Sequence, residues 1–227
     1  MTIFKNKEEY KKWIEMEDWY QTINLKSGLK TAGKAPTHLR EPLFEKFDLE
    51  NKSFLDIGCN SGQYCFLAKD KGASKVVGID IEKKRIAQAK TLAENEGYDI
   101  DFEKRSIFDI DTFPKFDVVF CIAVLTEIQD IFGAIEKLKK VIGKMAYLEL
   151  ELAKPIFYFS HSKYWLKGYP NLSRQNAVAE VRQTHNDKWV ISPSFEVLRA
   201  AFGEEFKLTR KEGGVRYDLV EVTRVSK

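Results

Sequence analysis

The sequence has few cysteines, no long apolar segment and no large excess of charge of either sign. Its 227 residues include three cysteines, Cys59, Cys65 and Cys121. Their odd number, and a spacing unlike that of metal ligands, indicate unpaired thiols in a reducing compartment. No stretch reaches the ~18 apolar residues of a membrane span, and the charged N-terminus lacks the pattern of a signal peptide. We therefore expect a soluble, cytoplasmic protein that does not contact a membrane.

The nearly balanced charge gives no electrostatic argument for a nucleic-acid partner. Lysine and arginine number 37 against 34 aspartates and glutamates, which leaves a formal net charge of +3. Such an excess is too small to indicate nucleic-acid binding by the chain as a whole. The hydrophobic fraction of 44% is enough, at this length, for one α/β domain with a sizeable core.

The sequence pattern of residues 1–48 predicts an N-terminal helix followed by a lid. Aromatic and apolar residues recur at helical intervals between Phe4 and Tyr20, which indicates an amphipathic helix that covers the core. A short alternating run from Gln21 then leads into a turn and a polar loop. We interpret this segment as a lid that packs, with the helix, on the domain formed by residues 49–227.

Beyond Ser53, runs of β-branched residues alternate with helical patterns, as is typical of a parallel sheet with helical crossovers. Gly213 and Gly214 predict a hairpin turn between the last two strands. The expected fold is an α/β, Rossmann-like, doubly wound sheet of seven mostly parallel strands that ends in an antiparallel hairpin. The predicted strands are 53–57, 75–80, 100–104, 116–122, 145–151, 205–211 and 215–223, and the predicted helices are 62–70, 83–96, 130–141 and one opened by Pro193.

The segment from Ser53 to Gly62 is an apolar strand that breaks into a glycine turn before a helix, a pattern typical of nucleotide-binding crevices. Gly58 allows the backbone to approach a ligand closely, and Gly62 allows close packing as the helix begins. Asn60 stands where a dinucleotide site has glycine, and asparagine tolerates a left-handed backbone. This difference favours S-adenosylmethionine over NAD, because Asp56, backbone carbonyls and a polar side chain are able to hold an amino-acid tail.

Asp80 ends the second predicted strand, near the roughly 20-residue spacing at which a carboxylate accepts hydrogen bonds from ribose hydroxyls. We assign Ile81, the next residue, to the same cofactor site. An aspartate followed by a turn is also a common turn former, so the carboxylate alone does not decide between the two interpretations.

Two further strand ends are candidate parts of the cofactor site. The segment Arg105–Asp109 follows the third strand, where Ser106 or Asp109 would accept from the adenine amine and Ile107 would pack on the ring. A solvated loop is the alternative interpretation. Backbone carbonyls from Cys121 to Leu125, at the end of the fourth strand, would accept hydrogen bonds from the α-amino group of the ligand. The alternative interpretation is a buried strand end without a role in binding.

The glycine turn 55–62 and the strand 76–80 resemble those of class I S-adenosylmethionine-dependent methyltransferases. Within that superfamily, Trp19–Ile23 and Trp189–Ser194 are most similar to the group named after the bacterial wobble-uridine tRNA methyltransferases. The resemblance implies that S-adenosylmethionine is the cofactor, S-adenosylhomocysteine the product, and residues 49–227 a methyltransferase domain. A shared fold does not by itself identify the molecule that accepts the methyl group.

The chain departs from this group on the substrate side. Members usually carry a Tyr-His pair after the Val-Leu of the fourth strand, where this chain has Thr126 and Glu127. We expect O-methylation, because the Asn/Asp-Pro-Pro-Tyr/Phe motif of amine-methylating enzymes is missing. A hydroxyl of high pKa then needs a general base, for which the candidates are Glu127, Glu149, Glu151, His161 and His185, and of these we select Glu127, Glu149 and His161. Each also has a structural interpretation, as a carboxylate at a helix N-terminus, a solvated strand end or a surface histidine.

Residues 154–190 form an insertion in which aromatic side chains are interleaved with basic ones. This composition suits stacking and phosphate contact with an RNA base, but it equally suits a hydrophobic lid over a small-molecule pocket. The predicted function is O-methylation of a small-molecule or glycan-like hydroxyl. The alternatives are modification of a tRNA wobble uridine and a non-catalytic regulator that binds S-adenosylmethionine.

Overall fold

The computed structural model describes residues 3–35, 41–45, 47–153, 179–183, 189–211 and 217–225. Within these residues the α-helices are α1 (Lys7–Met16), α2 (Glu41–Glu45), α3 (Gln63–Asp70), α4 (Lys83–Glu96), α5 (Ile131–Val141) and α6 (Phe195–Phe202). The strands are β1 (Ser53–Ile57), β2 (Lys75–Asp80), β3 (Asp101–Lys104), β4 (Phe116–Ile122), β5 (Ile142–Leu150), β6 (Ala179–Gln183), β7 (Trp189–Pro193), β8 (Phe206–Lys211) and β9 (Asp218–Arg224). None of these helices combines the length and apolar character needed to cross a lipid bilayer.

Seven of the described strands form one sheet in the order β3-β2-β1-β4-β5-β9-β8. The first five strands are parallel, whereas β9 runs antiparallel to both β5 and β8. The order reverses between β1 and β4, where the carboxyl ends of neighbouring strands leave a crevice. The predicted doubly wound sheet with a C-terminal antiparallel pair is therefore confirmed.

Apolar side chains cover both faces of the central strands. Phe54, Val118 and Phe120 pack in one cluster, which also receives α1, α3 and α4. Leu55 and Val119 lie on the other face, in a cluster with α5 and α6. Adjacent residues of one strand therefore enter opposite halves of the core, as the nearly continuous apolar runs of β1 and β4 require.

The N-terminal segment is attached firmly to α4. The backbone N–H and the hydroxyl of Ser27 donate to the Glu96 carboxylate at 2.8 and 2.7 Å. Arg85 donates to the carbonyl of Asp18 at 2.7 Å. The helix α1 is shorter than predicted, because the chain leaves it after Met16. These bonds hold residues 17–30 against the domain.

A second small sheet begins in the predicted insertion and extends a few residues beyond it, in a region for which no strands were predicted. β6 and β7 pair antiparallel, with Ala179 opposite Pro193. Pro193 therefore ends a strand rather than opening a helix, and α6 begins after Ser194, whose hydroxyl accepts from the N–H of Val197. Proline lacks an N–H and is placed more easily at a strand end than within a ladder. Gly213 and Gly214 lie outside the described residues.

Candidate cofactor and acceptor site

A cavity of about 420 Å³ lies at the carboxyl ends of β1, β2 and β4. Residues that follow these strands and β3 form most of its wall, and the segment after α1 closes another side. Parallel strands place their carboxyl ends at the same edge of the sheet, so residues distant in sequence meet there. The cavity therefore lies where open α/β sheets bind ligands.

The glycine turn after β1 brings the backbone close to the cavity. Gly58 has φ +76°, and its N–H donates to the carbonyl of Ile79 at 2.8 Å. A Cβ at this position would lie 2.3 Å from Cγ2 of Val124, closer than carbon atoms approach without overlap. Asn60 is also left-handed, with φ +52°. This turn thus needs a residue without a side chain at Gly58.

Asp80 is held by backbone donors on both of its carboxylate oxygens. The N–H of Asn60 donates to one oxygen at 2.9 Å, and the N–H of Glu82 to the other at 2.8 Å. Burial raises the pKa of Asp80, while these two hydrogen bonds act in the opposite direction. Each oxygen retains a second lone pair, so the carboxylate is oriented and able to accept from hydroxyl groups at the cavity wall. Ile81 beside it is 68% exposed and also lines the cavity.

Asp56 is a buried carboxyl group at the base of the cavity. It is 1% exposed, and the thiol of Cys65 donates to it across 3.7 Å. Burial raises the pKa of Asp56 to about 7, and the charge of Asp80 adds to the effect. A cationic group bound beside Asp56 would favour its ionised form. The site therefore combines Asp80, a partly buried carboxylate that two backbone N–H groups hold, with Asp56, whose charge depends on what binds beside it.

The end of β3 supplies a mixed polar and apolar wall. Ser106 precedes the 3-10 helix Ile107–Thr112, and its hydroxyl accepts from the N–H of Phe108 at 3.2 Å. Ser106, Ile107 and Phe108 all line the cavity. Ile107 is buried, whereas Phe108 is 36% exposed, so a flat apolar face is available to a ligand here.

The turn after β4 places a carboxylate at the cavity wall. Ala123 has φ +58°, unusual for a residue other than glycine, and Thr126 caps its carbonyl at 3.0 Å. Glu127 ends the short 3-10 helix Leu125–Glu127 and lines the cavity with a half-buried side chain. The end of β4 and the turn after it thus contribute Ile122, Ala123, Val124, Glu127 and Ile128 to the wall.

The structure does not bring every predicted site residue to the cavity. Gly62 and Cys121 lie outside its wall. A Cβ on Gly62 would lie 2.7 Å from the Phe102 ring, so this glycine allows helix packing, and Cys121 is fully buried in β4. Glu149 is fully buried in β5 and outside the wall, whereas its backbone carbonyl accepts from the N–H of Ala123 at 2.9 Å. His161 lies outside the described residues.

Sequence reasoning missed the part of the wall that precedes the sheet. Tyr20, Gln21 and Ala35 line the cavity opposite the strand ends. The sequence signals for them were the predicted lid after the N-terminal helix and, for Tyr20 and Gln21, the resemblance of Trp19–Ile23 to the tRNA methyltransferase group, but neither gave these residues a role in the site. Arg105 begins the segment predicted to lie beside the adenine, and it also lines the cavity, although no role was predicted for its side chain.

These residues fit an adenosyl ligand with an amino-acid tail. Asp80 offers a carboxylate suited to two neighbouring hydroxyls, and Ile81 with Phe108 offers apolar contact for a planar ring. Asp56 offers a partner for an ammonium group, beside a glycine turn that permits close backbone approach. The donor set therefore matches S-adenosylmethionine in charge and in polarity.

Comparison with known proteins gives the family. Residues 48–190 match a family described as a methyltransferase domain. The chain is 31% identical over 98 residues to the tRNA U34 carboxymethyltransferase of Campylobacter lari, a match that covers 43% of this chain and 34% of the relative. It is 33% identical over 127 residues to the ubiquinone biosynthesis O-methyltransferase of Pelagibacter ubique, which covers 54% of this chain and 52% of the relative. The matches thus span between a third and about half of these relatives.

Solved structures share the fold over most of the chain. The N-terminal domain of EvdMO1, solved in the presence of S-adenosylhomocysteine and D-fucose, has a TM-score of 0.69 at 14% identity, with 99% of this chain and 98% of that chain covered. Magnesium protoporphyrin IX methyltransferase from Synechocystis, with bound S-adenosylmethionine, has a TM-score of 0.55 at 16% identity, with 83% and 77% covered. The predicted fold, cofactor and enzyme class are confirmed, and the chain belongs to the methyltransferase domain family, with the fold of the class I S-adenosylmethionine-dependent methyltransferases.

Proposed function

We propose that the protein methylates a hydroxyl group of a small molecule, with Glu127 as the general base. The observation that carries the proposal is the position of Glu127, a half-buried carboxylate on the wall of the cavity directly after β4. S-adenosylmethionine supplies an electrophilic methyl group attached to a positively charged sulfur. The protein's part is to bind this cofactor, orient an acceptor and remove the acceptor's proton.

On the cofactor side, the proposed ligands are the residues at the first three strand ends. Asp80 accepts from the ribose hydroxyls in its fixed orientation, and Asp56 pairs with the ammonium group. Backbone groups of Gly58 and Asn60 approach the amino-acid part. The adenine packs against a group of mainly apolar side chains, namely Ile81, Ser106, Ile107 and Phe108.

On the acceptor side, the wall is apolar around one carboxylate. Val124 and Ile128 flank Glu127, and Tyr20 and Ala35 face the cavity from the N-terminal segment. An apolar surrounding suits an aromatic or sugar-like ring, and it excludes water from the acceptor oxygen. Glu127 then accepts the proton that the hydroxyl loses as its oxygen is methylated, so that no isolated negative charge develops.

The comparisons support a hydroxyl acceptor. The Pelagibacter ubique relative is named as an O-methyltransferase, and the EvdMO1 domain, which shares the fold over the whole chain, was solved with D-fucose present. A phenol and a deoxy sugar both present a hydroxyl of high pKa, for which a general base is needed. These are the two acceptor classes to test first.

The test is methyl transfer from labelled S-adenosylmethionine to a panel of catechols and monosaccharides. With an acceptor found, we expect Glu127→Gln to lower kcat by about 10²- to 10⁴-fold, the usual contribution of a general base, with unchanged affinity for S-adenosylhomocysteine. Glu136→Gln makes the same chemical change at an exposed position on α5 and serves as the matched control. Turnover of Glu127→Gln at the rate of the unchanged protein would remove Glu127 as the base.

A second candidate is modification of a tRNA wobble uridine, which the Campylobacter lari relative favours. Binding of RNA releases counterions from the phosphates, so its affinity falls steeply with salt. We would measure tRNA binding by filter retention at 50 and 200 mM salt. A loss of 10-fold or more supports the RNA acceptor, whereas no measurable binding at 50 mM leaves the small-molecule hydroxyl. Binding of S-adenosylmethionine without transfer to either class would indicate a non-catalytic regulator.

A further inference from the structure

Gln88 is a polar side chain on α4 that is buried outside the cavity wall, with an exposed fraction of 3%. Its amide nitrogen donates to the carboxylate of Glu17 at 2.8 Å and to the backbone carbonyl of Asp18 at 3.2 Å. Its amide oxygen accepts from the hydroxyl of Ser61 at 3.0 Å and from the guanidinium of Arg85 at 3.2 Å. Both N–H groups and both lone pairs of this amide are therefore in use.

The neighbours of Gln88 determine the orientation of its amide. An ionised carboxylate and a backbone carbonyl only accept hydrogen bonds, so the end that faces Glu17 and Asp18 is the nitrogen. A guanidinium only donates, so the end that faces Arg85 is the oxygen. Rotation of the amide by half a turn would set donor against donor and acceptor against acceptor. The side chain is thus held in one arrangement.

On one side, Gln88 reaches the glycine turn through Ser61, which is fully buried. The backbone N–H of Ser61 donates to the side-chain oxygen of Asn60 at 2.9 Å, and the N–H of Asn60 donates to the Asp80 carboxylate at 2.9 Å. Asn60 has a left-handed backbone, which persists only where the surrounding contacts hold it. A connected series of hydrogen bonds therefore leads from Gln88 to the carboxylate of Asp80.

On the other side, Gln88 binds the part of the N-terminal segment that leads into the cavity wall. Glu17 and Asp18 come shortly before Tyr20, which lines the cavity. Arg85 donates to the same carbonyl of Asp18 at 2.7 Å, so two side chains of α4 hold this stretch of backbone. One amide thus bonds both to the turn after β1 and to the segment that forms the opposite wall.

The segment has a second attachment to α4 that does not reach the turn. Ser27 donates to Glu96, further along the same helix, through its backbone N–H and its hydroxyl. Within the part of the chain that the structure describes, neither residue lines the cavity or bonds to a residue that does. The two attachments therefore differ in one respect, which is the contact of Gln88 with Ser61.

We propose that Gln88 is a positioning residue for the cofactor, which holds Ser61 and Asn60 beside Asp80 and makes their position depend on the docked N-terminal segment. The proposal rests on the proposed function only in that Asp80 and the glycine turn bind S-adenosylmethionine, and it does not depend on the acceptor. Gln88 lies outside the wall, so it acts through Ser61. Cofactor affinity is then coupled to a segment that precedes residue 48, where the family match begins.

The test is the affinity for S-adenosylhomocysteine, measured by isothermal titration calorimetry at a temperature where circular dichroism shows each variant to be folded. Gln88→Met removes both polar ends with little change in length, and we expect it to bind about 10-fold more weakly, as for the loss of one buried hydrogen bond. Ser27→Ala cuts the other attachment and should keep the affinity of the unchanged protein. A residue that only stabilises the fold would lower Tm without changing the affinity of the folded protein.

A double-mutant cycle tests whether the effect passes through Ser61. We expect Ser61→Ala to weaken binding by a similar factor, and the double variant with Gln88→Met to bind no more weakly than the weaker single variant. Losses that multiply in the double variant would overturn the proposal. Unchanged affinity of Gln88→Met, or an equal loss in Ser27→Ala, would overturn it as well.

Exchange of the two partner groups tests the contact with the N-terminal segment, and it replaces Gln88→Met if that variant does not fold. Gln88→Glu sets two carboxylates against each other, so we expect a loss in affinity of more than about 10-fold. Adding Glu17→Gln supplies a donor to the new carboxylate and should recover at least about 3-fold of this loss. A lack of recovery overturns the proposal. Failure to methylate any acceptor would refute the proposed function, whereas these affinities would still test the role of Gln88.

Discussion

Replacing Gly58 with alanine should damage the cofactor turn through two separate physical effects. The first is backbone strain, because φ +76° costs a residue with a Cβ about 1–2 kcal/mol. The second is overlap, because the new Cβ would lie 2.3 Å from Cγ2 of Val124, and overpacking of this kind costs about 1–3 kcal/mol. We expect a loss of about 3 kcal/mol in the free energy of unfolding.

Gly97→Ala provides a matched control for the strain alone. Gly97 follows α4 with φ +70°, but a Cβ there would have no atom within 4 Å. We expect Gly97→Ala to cost only about 1–2 kcal/mol. For a chain of this length each kcal/mol lowers Tm by about 2–4 °C, so the Gly58 variant should melt about 6–12 °C below the unchanged protein and the Gly97 variant much less.

The contact with Val124 is tested by a double-mutant cycle. Val124→Ala shortens the side chain that the new Cβ would strike, so in the Gly58→Ala background it should restore part of the lost stability. We expect a coupling energy of about 1–3 kcal/mol between the two positions. Differential scanning calorimetry on the four proteins gives this number. Equal Tm losses for the Gly58 and Gly97 variants, with no coupling to Val124, would refute the overlap argument.

Two predictions concern the carboxyl groups of the cavity. In Asp80→Asn, the new amide nitrogen would face one of the two backbone N–H groups that now donate to the carboxylate oxygens, and two donors repel each other. We therefore expect S-adenosylhomocysteine to raise the Tm of this variant measurably less than that of the unchanged protein in a thermal-shift assay. An equal rise in Tm would contradict the assignment of Asp80 to the ribose. Burial raises the pKa of Asp56 to about 7, so the folded state keeps a proton that the unfolded chain loses near pH 4. Stability from this group therefore falls as pH rises from about 4 to about 7, by roughly 4 kcal/mol at most. Asp56→Asn removes this dependence, and a Tm difference between variant and unchanged protein that stays flat over this range would show that Asp56 does not titrate there.

Most of the sheet follows from local sequence patterns. The boundaries of β1, β2 and β4 agree with the prediction, because their apolar runs end at charged or turn-forming residues such as Asp80. β5 begins at Ile142 rather than at 145, since it follows α5 without a loop and pairs with Phe116 across an irregularity in the ladder. That pairing depends on a distant strand, which local patterns do not contain.

The cofactor side of the site was accessible to the same reasoning. Asp56, Gly58 and Asp80 stand at strand ends, and the ends of parallel strands must meet at one edge of the sheet. The opposite wall was not accessible. Tyr20 and Gln21 reach the cavity because Ser27 bonds to Glu96, a contact between residues far apart in the chain. Their roles, like the boundary at 48/49, stay predictions.

The docked segment between α1 and α2 lies before residue 48, where the match to the methyltransferase domain family begins. A shortened protein that starts at residue 48 would therefore retain every strand of the seven-stranded sheet, yet its crevice would open to water on the side that Tyr20, Gln21 and Ala35 now shield. If this segment were exchanged for that of a relative, the shape of the space beside the cofactor would change, and with it the acceptor that fits there. The cofactor residues at the strand ends would be unchanged.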